Sequence, residues 1–175
     1  MKWMSGYALC PVAVSMFFCL FLLLAGCGTS RGEGFAIYLT QNDVPPASMP
    51  ALSHIDIAGQ SVISLSDILA YDAQTHDITL TTSAYKRISK LEVPVQGRSF
   101  VVCVDKNPVY WGAFWTPISS ISFDGVTIWK PGFGVARENT VRLELGYPSP
   151  SFYGGEDPRS NTQVLLSLER AGKLR

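Results

Sequence analysis

His76 and Asp77, with Asp72 four residues before the histidine, come nearest in type and spacing to an acid–base pair or part of a metal site. An imidazole that titrates near neutrality beside two carboxylates can move a proton or help to hold a cation. Three side chains in one polar bend are too few to assign either role, so the reading assigns no catalytic residue, no metal ligand and no cofactor. His54 lies beside a proline-rich loop and has no stronger claim. The sequence carries no G-x-S-x-G, no P-loop, no H-E-x-x-H and no C-x-x-C. Cys103 stands in the apolar run Phe-Val-Val-Cys-Val, which predicts a buried small hydrophobe rather than a reactive thiol.

The densest concentration of recognition chemistry is aromatic. Residues 110–115 read Tyr-Trp-Gly-Ala-Phe-Trp, and Phe123, Trp129 and Phe133 follow. On a strand, Tyr110, Gly112 and Phe114 share one face while Trp111, Ala113 and Trp115 share the other. Both faces therefore carry large rings, and only one can enter the main core. Trp and Tyr combine apolar area with a polar handle, so Tyr110, Trp111, Phe114, Trp115 and Trp129 form the candidate binding face, with core packing as the competing use. Gly112, set between rings, predicts a bulge or a close backbone approach.

Composition bounds the rest. The chain has 175 residues, 47% hydrophobic and 16% charged, with fourteen Lys+Arg against fourteen Asp+Glu. That balance lacks the basic footprint of a nucleic-acid partner, and the apolar content argues against disorder. Lys2 is the only charged residue before Arg31, and residues 12–25 (VAVSMFFCLFLLLA) form a 14-residue apolar run. A charged start, a short apolar centre and small residues after it make a secretory signal. The run is shorter than the roughly 20 residues of a spanning helix, although the uncharged stretch 3–30 is long enough for an uncleaved anchor.

Leu24-Ala25-Gly26-Cys27 at the end of that run resembles the lipobox of bacterial lipoproteins. The resemblance implies that the Cys27 thiol is acylated and becomes the mature N-terminus. Its partner is then the membrane, through lipid, and its location extracytoplasmic, at the cell membrane or the outer membrane. Gly28 stands where that family's inner-membrane retention signal places Asp, which favours the outer membrane. Cys10 and Cys19 would leave with the signal, so Cys103 would remain without a disulfide partner. The domain reading is a signal over 1–26, a lipidated polar tether over 27–34 and one extracytoplasmic domain over 35–175.

The elements that must position these residues follow from periodicity. Residues 35–39, 77–81 and 141–145 read as strands, and 99–104 with 109–115 as a hairpin about Asp105-Lys106-Asn107-Pro108. Asp124-Gly125 between alternating apolar residues predicts a type I′ hairpin turn. Residues 66–70 predict a short helical turn capped by Ser64 or Ser66. A helix capped by Thr82 or Ser83 is expected to run to about Leu91, burying Ala84, Ile88 and Leu91 and exposing Lys86, Arg87 and Lys90. Asn161 caps a terminal helix whose apolar face is Val164, Leu165, Leu168 and Ala171. Gly172 then ends it, and Lys173, Leu174 and Arg175 are expected to fray. Strands and helices without a βαβ rhythm predict an α+β fold, a mainly antiparallel sheet with two or three short helices packed on it.

Residues 78–131 resemble the periplasmic head region of SecD-type export subunits. The shared outline is a strand ending in Leu80-Thr81, a short helix, Gly97 before an apolar strand ending in Asp105, its partner strand, and Gly125-Val126-Thr127-Ile128. Tyr110-Trp111-Gly112 replaces a small Ser-Ala-Pro stretch, and the resemblance implies a local fold without transport. The leading functional expectation is a non-enzymatic binding or interaction module of the cell envelope with an envelope protein as partner. The alternatives are an envelope enzyme using His76, Asp72 and Asp77, and a small solute-binding lipoprotein.

Overall fold

The computed structural model describes residues 32–133 and 138–175. The signal, the lipobox residues Leu24, Ala25, Gly26 and Cys27, and the tether up to Arg31 lie outside the described residues. Eight strands are formed: β1 (Phe35–Thr40), β2 (Ile57–Ile63), β3 (Ile68–Tyr71), β4 (Asp77–Leu80), β5 (Arg98–Val104), β6 (Asn107–Trp115), β7 (Phe123–Trp129) and β8 (Thr140–Tyr147). The helix α1 (Thr82–Ser89) follows β4, and α2 (Thr162–Arg170) lies near the C-terminus. The strands make one sheet in the order β2-β1-β5-β6-β7-β8-β4-β3. The fold is α+β with a mixed sheet: β6 and β7 run parallel, while the other neighbouring strands are antiparallel.

Local chemistry explains the ends of the helices. The Thr81 hydroxyl, one residue earlier than expected, accepts the Ala84 N–H, and the Asn161 side chain accepts the Gln163 N–H. Ala84 and Ile88 on α1, and Val164 and Leu168 on α2, are fully buried. Asp105 and Lys106, with φ of 52° and 65°, form the two-residue turn that pairs Val104 with Asn107.

Three expectations are corrected. Asp124-Gly125 is no hairpin turn; it lies inside β7, where the pairing with β8 shifts register between Phe123 and Val126. A Cβ on Gly125 would lie 2.4 Å from the Phe123 ring, so this glycine makes room for an aromatic side chain rather than for a reversal. Only Leu65–Asp67 is helical in the 66–70 region, as a single 3-10 turn, and Ile68–Tyr71 continue as β3. Asp67 holds that turn by accepting from both the Ser64 N–H and the Ser64 hydroxyl at 2.8 Å. The C-terminal residues do not fray: Tyr71 N–H donates to Lys173, Ala73 N–H to Arg175, and Arg175 N–H back to Tyr71. They close the outer edge of β3.

The sheet curls around one core. Phe35 on β1 and Tyr71 on β3, far apart in strand order, have ring centroids 6.5 Å apart. Between them lie Ile37, Ile63, Ile78, Phe100, Phe114, Ile128 and Leu143, all fully buried, with α1 and α2 packed on the same face. On the outer face Ala36, Tyr38, Val101 and Cys103 are covered by Met49, Leu52 and Ile55 from the proline-rich segment between β1 and β2. Burial there pushes the Cys103 thiol up to about 11.

At Gly112 the neighbouring strands leave no room for a side chain. A Cβ there would lie 2.3 Å from the Val126 carbonyl oxygen and 2.6 Å from the Phe100 ring. Gly112→Ala is expected to destabilise the domain by about 2 kcal/mol or more, because backbone and an enclosed ring must both shift. Denaturant unfolding checks this, and an unchanged midpoint would refute the packing described.

Candidate functional site

The five aromatic residues singled out by the sequence divide between the faces of the sheet. Tyr110 and Phe114 point into the inner core, with Phe114 against Phe100 at 5.3 Å. Trp111, Trp115 and Trp129 stand on the outer face, where Phe123 and Tyr147 join them. There the rings form a continuous chain. Trp111 meets Phe123 at 5.8 Å, Phe123 stacks on Trp115 at 5.0 Å and 11°, Trp115 meets Tyr147 at 5.7 Å, and Tyr147 meets Trp129 at 5.8 Å. Tyr147 is not among the candidate rings; the sequence places it at the start of a Pro/Gly-rich connection. Strict alternation after Val141, Leu143 and Leu145 would turn it inward, but Gly146 at φ +66° breaks that alternation, and Tyr147 packs with the outer rings.

The middle of the chain is covered and its ends are not. Residues 116–122, which connect the parallel strands, are held by the Tyr147 hydroxyl donating to Pro117 and Ser119 carbonyls at 3.2 and 2.8 Å. Trp115, Phe123 and Tyr147 are buried, while Trp111 and Trp129 remain half-buried. Gly97 at φ +81° lets the backbone pass against Trp115, where a Cβ would lie 2.2 Å from the ring. The indole nitrogens of Trp115 and Trp129 and the Thr116 hydroxyl are buried without a hydrogen-bond partner among the described residues. An unpaired buried donor of this kind costs about 1–3 kcal/mol.

A cleft of 630 Å³ opens beside Gly97, lined among others by Asp43, Glu92, Pro94, Arg98 and Lys130. Arg98 is fixed within it by Asp43, at 2.5 and 3.1 Å, and by the Glu92 carbonyl. Val95, Ile118 and Ile121 are exposed around Ser119, whose hydroxyl donates to the Val95 carbonyl. The chain enters β1 beside the β5–β6 turn, where Asp105 accepts from Gly34 N–H at 2.7 Å. Trp115, Trp129 and the cleft lie at the opposite end of the same strands.

Set against known proteins, the chain matches no family model, no curated protein and no solved structure. Among the described residues no helix is long and apolar enough to cross a membrane, and no group of three His, Cys, Asp or Glu could hold a metal ion.

Asp72, His76 and Asp77 take three different partners. The Asp72 carboxylate accepts the Gln74 and Thr75 N–H groups at 2.8 Å, and Asp77 receives a two-pronged bond from Arg142 at 2.6 and 3.1 Å. His76, at φ 57°, is buried with its Nδ1 2.9 Å from the Tyr71 hydroxyl. Arg159, bound to Asp157 and to the Leu143 carbonyl, lies close to this pair. Sequence reasoning missed both Tyr71 and Arg159, which come from a short strand and an irregular connection. Burial, and then the Arg159 charge, hold the His76 imidazole below its ordinary 6.5, with Asp157 and Asp72 opposing.

The sign of the consequence is fixed by linkage. Below about pH 6.5 the unfolded chain binds the histidine proton before the folded one does, so stability falls as pH drops through that range. Asp67, Asp72 and Asp157 are depressed from 3.8, so their contribution disappears only in more acid solution. Glu144, raised by burial, acts in the opposite sense. Unfolding free energies of wild type are expected to decline from pH 7.5 to 5.5 (a range spanning the ordinary histidine value of about 6.5). His76→Asn, whose side chain tolerates positive φ, should flatten that slope. Equal slopes would show that His76 is protonated equally in both states.

Proposed function

We propose that this chain is a lipid-anchored, extracytoplasmic module of the cell envelope that binds a protein partner through Trp111 and Trp129 on the outer aromatic face. The observation that carries the binding reading is the pair of half-buried indoles at the two ends of a ring chain whose middle is packed. A covering partner would remove the remaining apolar ring surface from water, the property that makes Trp effective at interfaces. The address rests on the charged start, the apolar run and the lipobox resemblance at Cys27. An anchor preceding residue 32 and a partner on Trp129 would use opposite ends of the same strands. The likeness of residues 78–131 to SecD-type head regions stays a proposal about fold; β4, α1, β5, β6 and β7 follow the same strand–helix–hairpin order.

Crosslinked recovery from membranes tests the reading. Trp111→Ala/Trp129→Ala is expected to lose a specific partner while staying folded, each half-buried ring costing less stability than Trp115. Trp115→Ala should lose about 3–5 kcal/mol of stability, since its ring is fully enclosed. Metabolic labelling with palmitate should mark the wild type and leave Cys27→Ser unlabelled. A partner set unchanged by the double substitution would overturn the binding face, and a wild type that takes no label would overturn the lipid anchor.

The cleft beside Gly97 favours a second reading, capture of a small polar solute. Neither Glu92 nor Lys130 has an ion-pair partner among the described residues, so both charges are free to meet a ligand. A solute that binds only the folded state must raise the melting temperature, and Lys130→Ala should abolish that rise. No shift with amino acids, short peptides or sugars would remove this reading.

A further inference from the structure

The two edges of the sheet are treated differently. The edge at β3 is closed by residues 173–175 of the same chain, through hydrogen bonds of 2.7 to 3.1 Å to Tyr71 and Ala73. The edge at β2 has no pairing strand on its outer side among the described residues. Natural edges of this kind are blunted by a charge, a proline or a bulge. Over seven residues β2 reads Ile-Ala-Gly-Gln-Ser-Val-Ile and carries neither charge nor proline, although its pairing with β1 is irregular. Gly59 and Gln60 are exposed, and a Cβ on Gly59 would meet nothing within 4 Å.

The order of residue types along that edge names its occupant. Read from both ends towards Gln60, β2 repeats itself: Ile57 and Ile63, Ala58 and Val62, Gly59 and Ser61. We propose that β2 pairs antiparallel with β2 of a second copy of this chain, about a two-fold axis at Gln60. Ile57 then faces Ile63 of the second copy and Gln60 faces itself, while Ala58 meets Val62 as apolar against apolar and Gly59 meets Ser61 as small against small. A two-fold contact uses the same patch on both molecules and so requires this self-complementarity, whereas a foreign segment does not. The absence of charge means that no like charges meet at any of these positions. Ladder hydrogen bonds supply the attraction, and the sheet continues from one molecule into the next.

Two features set its strength. The pairing of β2 with β1 shifts register twice, between Ile63 and Ser61 and again between Ser61 and Ile57, so Gln60 lies in an irregular stretch that must straighten before it pairs. Arg87 also reaches the Val62 carbonyl, at 3.3 and 3.4 Å, but its short bond of 2.7 Å goes to Asp67. Arg87 can yield the carbonyl and keep the carboxylate. One short strand pair is smaller than the roughly 1,200–2,000 Å² of a standard stable interface, so the dimer is weak and depends on concentration. This contact is separate from Trp111 and Trp129 and stands or falls independently of the partner proposed there.

Full-length protein in detergent provides the test. At the two-fold axis, Cα atoms of opposed residues lie about 4.5–5.5 Å apart, within disulfide range, so Gln60→Cys should give a covalent dimer under mild oxidation. Wild type and Leu166→Cys, exposed on α2, should give background only. Light scattering, with the detergent mass subtracted, should show wild type associating as concentration rises. Gln60→Lys should weaken that association about fivefold or more with an unchanged melt, because two like charges then meet at the axis. A wild type that stays monomeric, with Gln60→Cys no faster than Leu166→Cys, overturns the proposal and leaves the edge to an extended segment of another protein. A dimer indifferent to Gln60→Lys overturns it as well, by placing the contact elsewhere.

Discussion

Two neighbouring strands that run the same way cannot be joined by a tight turn, so the chain leaving Trp115 must cross the sheet before it returns at Phe123. That requirement organises the outer face. The crossing segment 116–122 needs something to lie on, and Trp115, Phe123 and Tyr147 provide it; the Tyr147 hydroxyl in turn satisfies two of its carbonyls. Close approach is then demanded nearby. Gly97 must lack a side chain to pass Trp115, Gly125 to admit Phe123, and Gly112 to bring β6 against β7. One parallel pair thus accounts for three glycines and for a second apolar layer on a face that an antiparallel meander would leave to solvent.

The same constraint marks what sequence could and could not disclose. Local signals were legible: the caps at Asn161 and close to Thr81, the alternation of β8 and the turn before β6 each depend on a few adjacent residues. The alternation of β6 also told correctly which rings share a face. Which rings stay accessible was not legible, because that depends on where residues 116–122 travel. Asp124-Gly125 misled for a related reason: its glycine answers to the Phe123 ring, and no turn chemistry is needed there. β3 escaped notice because it has only four residues, and β2 because its small and polar centre lacks an alternating apolar pattern. The place of β2 comes from partners such as Tyr38, more than twenty residues away, whereas β3 pairs with β4 just after it.

The charged residues reinforce this division of labour. Asp67 with Arg87, Asp43 with Arg98, Asp77 with Arg142 and Asp157 with Arg159 each fasten one segment of the domain to another or brace a turn. Arg159 goes further, since its guanidinium also takes the Leu143 carbonyl and its own carbonyl accepts from the Tyr71 hydroxyl. The residues that looked most like an acid–base pair are thereby drawn into structure: Asp72 into a turn, Asp77 onto Arg142, and His76 into a buried contact with Tyr71. A general base must reach a substrate proton, and a buried imidazole engaged at Nδ1 by a tyrosine is poorly placed to do so.

With four of the six described arginines committed to fastening, the proposed recognition falls to groups that the fold leaves unfinished. On the outer face these are the half-buried rings of Trp111 and Trp129; at the edge of the sheet they are the backbone groups of β2. Both kinds of surface act at short range, because ring contacts and ladder hydrogen bonds fall away within a few ångströms, whereas a charged patch would act across a Debye length of about 8 Å. Neither would draw a partner from a distance through bulk solution. Such surfaces work best where partners are already concentrated beside one another, and a membrane supplies that by confining molecules to a plane. The proposed lipid address at Cys27 and the short-range character of both proposed surfaces are thus physically consistent: such an anchor would compensate for recognition that carries little steering charge.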